Sequence, residues 1–98
     1  MPLSSSQRKF LRARAHALRP VVIIGANGLH EAVLAEIGQA LAHHELIKVR
    51  FNCGDRDERQ AMQETVRDQC RAELVQTIGH IGVFYRRAEK PRITLPRR

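Results

Sequence analysis

Leu11, Ala15 and Leu18 recur at helical spacing, while Arg8, Arg12 and Arg19 fall largely off that stripe. Ser4, with Gln7 three residues later, has the pattern of a capping box, in which each side chain satisfies the other residue's backbone N–H. A first helix is therefore predicted over residues 5–18. Pro20 forbids its continuation, because the ring lacks the N–H and clashes with the preceding turn. Val21-Val22-Ile23-Ile24 is a short, fully apolar, β-branched run and predicts a buried strand over 21–24. Gly25-Ala26-Asn27-Gly28 is a turn. Val33, Ile37 and Leu41, with Leu34 alongside, predict a second helix over 29–43.

Farther on the period changes. Ile47, Val49 and Phe51 alternate with Lys48 and Arg50, which predicts a half-buried strand over 46–52 with a basic outer face. Cys53-Gly54 breaks it, and Asp55 with Glu58 starts a third helix over 56–71 that turns Met62, Val66 and Cys70 inward. Residues 74–78 and 83–87 read as strands around a hairpin turn at Gly79-His80-Ile81-Gly82. Pro91 and Pro96 mark an extended tail. The predicted fold class is α/β, one domain over 1–98 in the order α-β-α-β-α-β-β. It has a four-stranded mixed sheet and three helices, with a core over about 3–87 and a basic tail over 88–98.

A length of 98 residues fits one domain, and 43% hydrophobic residues suffice for a packed core. The formal net charge of +7 suggests a polyanionic partner. Its distribution sharpens the point. Residues 1–20 hold Arg8, Lys9, Arg12, Arg14 and Arg19 without an acid, and residues 74–98 hold Arg86, Arg87, Lys90, Arg92, Arg97 and Arg98 against Glu89 alone. The middle is net acidic. A polyanion-binding surface built from both ends accounts for that segregation, with a solubilising basic tail as the plainer alternative. Cys53 and Cys70 are too few for a disulfide framework and lack metal-ligand spacing. No stretch approaches the ~20 apolar residues of a membrane span. A cytoplasmic protein is the expectation.

Among candidate chemical groups, Gly25-Ala26-Asn27-Gly28 is the most informative, because it links a strand to a helix. Glycines let a nucleic-acid backbone come close, and amides at a helix start form an anion site, here around Asn27 to Leu29. An ordinary turn is the alternative. The five histidines form no HExxH motif, since Lys48 stands where the second histidine would be; His43 and His44 fit a helix end. Cys53 and Cys70 suit structural roles. No arrangement argues for an enzyme, a cofactor or a small-molecule substrate. Phe84 and Tyr85 alternate on the last strand, so either one ring is exposed near Arg86 and Arg87 to stack on a base, or Phe84 is core and Tyr85 lies at its edge.

Pro20 to Gly28 (PVVIIGANG), Val33 to Val49 (VLAEIGQALAHHELIKV), Ile78-Gly79, Val83-Phe84-Tyr85-Arg86 and Ile93-Thr94-Leu95-Pro96 together resemble the CRM domain (chloroplast RNA splicing and ribosome maturation) in its bacterial stand-alone, YhbY-like form. The resemblance runs from Leu3 to Arg97. It implies a fold similar to the C-terminal domain of translation initiation factor three. It also implies binding to ribosomal RNA in precursors of the large subunit. By position it implies an RNA-binding loop of Gly25, Ala26, Asn27 and Gly28 and a basic contact at Lys48. Because Ala26 and Asn27 are uncharged, charge is expected from a basic surface of Arg8, Lys9, Arg12, Lys48, Arg50, Arg86 and Arg87. His80, Ile81 and Gly82 depart from the family pattern, which often has a basic and a small polar residue in that turn. A general RNA chaperone or splicing cofactor, a basic protein-interaction module and a small enzyme using Cys53 or a histidine remain as alternatives.

Overall fold

The computed structural model describes residues 2–98. Its elements are α1 (Ser5–Ala15), β1 (Pro20–Ile24), α2 (Glu31–His44), β2 (Leu46–Phe51), α3 (Arg56–Gln69), β3 (Glu73–Ile78) and β4 (Ile81–Tyr85). The predicted order and mixed sheet are both present. The strands lie in the order β1-β2-β4-β3. The α2 crossover makes β1 and β2 parallel, while β4 pairs antiparallel with both β2 and β3. Local chemistry fixes the helix starts: capping boxes form at Ser4 with Gln7 and at Asp55 with Glu58.

Both sheet faces are covered, but unequally. On one face α2 and α3 enclose Val22, Ile24, Ile37, Leu41, Val49, Phe51, Val66 and Phe84. On the other, Leu11 and Ala15 of α1, together with Ile93 of the C-terminal segment, pack on Leu46, Val75, Val83 and Tyr85. Phe84 and Tyr85 therefore point to opposite faces and both are buried, so the exposed stacking ring expected as one alternative is absent, and Tyr85 belongs to the second core. Gly82 makes room in the first core, since a Cβ there would lie 2.8 Å from the Phe84 ring and 3.3 Å from that of Phe51.

Several boundaries shift for physical reasons. α1 ends at Ala15, not Leu18, and Leu18 is 37% exposed. Pro20 opens β1 and disfavours helical geometry in the residue before it. α2 begins at Glu31, not Leu29, because the turn is followed by His30 as N-cap, with Nδ1 accepting from the Val33 N–H. The larger correction concerns β1. The run 21–24 is not fully buried: Val22 and Ile24 are inside, while Val21 and Ile23 are 47% and 61% exposed. β1 is an edge strand, and α1 crosses β2, β3 and β4 without covering it. An apolar run alone cannot tell one covered face from two.

Glu45 ties the C-terminal segment down. It is wholly buried, and its carboxylate accepts backbone N–H groups from Ala88, Arg92 and Ile93. Burial pushes its pKa up, but these three donors and the Arg92 guanidinium outweigh that and hold it below the ordinary value. Gln7 adds a second tether, its side-chain amide donating to the Pro96 carbonyl at 2.8 Å. The predicted tail thus lacks regular structure yet closes the second core.

Candidate nucleic-acid interface

β1, β2 and β3 all run toward one rim of the sheet, where β4 begins. Three connections meet there: Gly25–Gly28 after β1, Asn52–Asp55 after β2, and the Gly79–His80 turn between β3 and β4. Backbone bonds join them. The Asn52 N–H donates to the Ile24 carbonyl at 2.8 Å, and the Phe51 N–H to the His80 carbonyl at 2.7 Å.

The Gly25–Gly28 loop is a closed turn, with the Gly28 N–H donating to the Gly25 carbonyl at 3.0 Å. Gly28 has φ +67°, a left-handed value that costs other residues energy. Gly25, Ala26 and Asn27 are exposed. The amides of Ala26 and Asn27 have no acceptor among the described residues, which leaves them available to an anion. Because α2 starts two residues after the loop, its free first-turn amides are those of Glu31 and Ala32, while the Val33 amide is taken by His30. The expected anion site at Asn27 to Leu29 thus divides between a turn and a separate helix start.

The structure brings some predicted basic residues to this rim and spends others elsewhere. Arg50 pairs with Ile23 on β1 and Ile81 on β4, and its Nε donates to the Asn52 side chain at 2.8 Å. Lys48 stands two residues back on the same face, with its side chain partly exposed. Arg8 instead donates to the Leu74 carbonyl and pairs with Glu73 at 3.8 Å, holding α1 to the edge of β3. Arg86 donates to the Gly38 and Cys70 carbonyls at 2.8 and 2.9 Å, bridging the middle of α2 and the C-terminal end of α3. Lys9, Arg12 and Arg87 are exposed, and Arg12 follows Arg8 by one helical turn.

His80, read from the sequence as a departure from the family's basic turn, presents Nδ1 to the Phe51 carbonyl at 3.2 Å and so belongs to the rim. One further group escaped the sequence reading. Asn52 is the partner that orients Arg50, a contact that its i+2 position, just past the end of β2, could have suggested. Cys53 and Cys70 are free thiols, and burial pushes the Cys70 thiol up, away from the reactive thiolate. No three His, Cys, Asp or Glu side chains among the described residues are grouped to hold a metal ion. No helix among the described residues is long and apolar enough to cross a membrane.

Known proteins match this arrangement over nearly its whole length. The chain is 51% identical over 96 residues to an RNA-binding protein of Haemophilus influenzae, covering 98% of this chain and 97% of that one. It is 44% identical to the probable RNA-binding protein PA4753 of Pseudomonas aeruginosa, over 93% of this chain and 88% of the relative. The solution structure of SAV1595 from Staphylococcus aureus superposes with a TM-score of 0.84 at 35% identity, over 97% of this chain and 100% of that one. The CRS1 / YhbY (CRM) domain model matches residues 3–86. With that match on the same strands, loop and helices described above, the chain belongs to the CRS1/YhbY (CRM) domain family.

Proposed function

We propose that this chain is a non-catalytic, cytoplasmic RNA-binding protein that associates with ribosomal RNA in precursors of the large ribosomal subunit. The observation that carries the RNA part is the rim itself. A tight, exposed glycine turn with open amides follows the strand that pairs with Arg50, and Lys48 stands two residues farther back from the turn on the same face. Main-chain amides and cations together suit a phosphodiester backbone, which offers a charge at every step and accepts hydrogen bonds only. The names of the relatives support the same reading. The ribosomal assignment rests on the family resemblance. Phosphate contacts supply most of the affinity, and RNA shape most of the selectivity.

Sedimentation of the tagged protein through a ribosome gradient, followed by RNA crosslinking, tests the assignment. Co-migration with large-subunit precursors and crosslinks to their ribosomal RNA are expected. Crosslinks spread over messenger and intron RNAs would replace the ribosomal role with chaperone or splicing activity. Complexes that survive nuclease treatment would indicate a protein partner.

A further inference from the structure

The uncovered half of the sheet carries a row of side chains that phosphate binding does not explain. Cross-strand pairing sets Ile23, Arg50, Ile81 and Ile78 side by side, one from each of β1, β2, β4 and β3. Paired residues share a face, and this face is the one α1 leaves open beyond Val83 and Leu46. Ile23 and Ile78 are 61% and 53% exposed, and Ile81 is partly exposed. The row behind it holds Lys48 between Pro20 and Val83. Neither row contains an acid.

We propose that this row is a platform for unpaired RNA bases, laid down next to the backbone held by Gly25–Gly28. The inference rests on the RNA-binding reading above and names the part of the RNA it engages. Four strands about 4.8 Å apart make a row roughly 14 Å long, room for about two or three bases. Base faces are apolar and pack on aliphatic side chains. The Arg50 guanidinium, oriented by Asn52, offers a planar cation among them. Lys48 stands where the connecting phosphates pass. Aromatic stacking is unavailable here, because Phe51, Phe84 and Tyr85 are all buried. A protein partner fits less well: lysine is depleted from protein interfaces, and here Lys48 stands directly behind the row. The rim is continuous with the platform, since the residue after Ile23 leads directly into the loop.

The test uses the full chain with the double substitution Ile23→Thr and Ile78→Thr. Threonine keeps strand propensity, and both sites are exposed, so thermal stability should hold. Filter binding compares a short oligouridine, the same oligomer with abasic positions, and a fully paired RNA duplex. The double variant should lose about tenfold on oligouridine and nothing on the duplex, and the abasic oligomer should bind the parent as weakly as oligouridine binds the variant. Unchanged oligouridine affinity, or an equal loss on duplex and single strand, would overturn the platform. A parent dimer that dissociates in the variant would also overturn it, assigning the row to a second copy of the chain. A parent protein that binds none of the three RNAs overturns the RNA-binding reading beneath it, a result distinct from all the others.

Discussion

Glu45 shows how much one residue can organise. Its backbone has φ +64°, its side chain is buried, and three amides of the C-terminal segment converge on its carboxylate. Replacement by Gln keeps the shape and removes the charge, so the loss of charge-assisted bonds should cost about 2 kcal/mol at neutral pH in urea melts. The pH dependence has a definite sign. The folded pKa lies below the ordinary value, so the contribution is complete above the ordinary carboxylate range and disappears as pH falls through the lowered folded pKa. The gap between wild type and Glu45→Gln should therefore close in acid; a constant gap from neutral to strongly acidic pH would contradict the anchor. Asn27 tests the loop. Because it is exposed and four residues ahead of α2, Asn27→Asp should leave stability within about 0.5 kcal/mol. A carboxylate facing a phosphate there should weaken RNA binding by roughly fivefold, about 1 kcal/mol at contact distance in water. Equal affinity for both proteins would reduce the loop to a turn.

At the scale of elements, Gly82 links strand β4 to the core of the α2/α3 face. The Phe51 and Phe84 rings lie 6.3 Å apart and tilted by 52°, and a methyl at position 82 would meet both. Gly82→Ala should destabilise by about 1–3 kcal/mol through overpacking, read as a drop in melting temperature. A neutral result would mean that the rings slide without cost. The order of the elements was legible because breakers mark most of the boundaries, at Pro20, Gly25 to Gly28, Cys53-Gly54 and Gly79, while the passages from α2 to β2 and from α3 to β3 turn at Glu45 and Arg71, non-glycine residues with positive φ, where only the change of period shows. Burial was less legible. The run from Val21 to Ile24 contains no polar residue to mark its open face, and α3 hides Gln63, a buried polar residue whose Nε2 has no partner, among residues that read as surface. Nothing in the structure explains that unpaired amide.

Over the whole molecule, charge divides into a working and a structural fraction. Neighbouring arginines differ most plainly: Arg86 bridges α2 and α3, while Arg87 is exposed. Sequence could not separate them, because strand alternation assigns faces and says nothing about which carbonyls lie within reach. If about 5–7 of the remaining cations meet phosphates, affinity for structured RNA should fall by a few orders of magnitude between low and moderate salt. A flat dependence in filter binding would contradict a phosphate-dominated interface. The topology has a consequence of its own for how the protein comes into being. β4 is last in sequence, yet it fills the gap between β2 and β3. During synthesis on the ribosome, a nascent chain that has reached β3 has no neighbour to pair it with. Until Tyr85 emerges, β2 and β3 keep open edges and the two cores lack Val83 and Phe84. Closure of the sheet is therefore a late, non-local event, slow in the way that long-range strand pairing is slow. The growing chain depends on a single final hairpin to turn three helices and three strands into a protein.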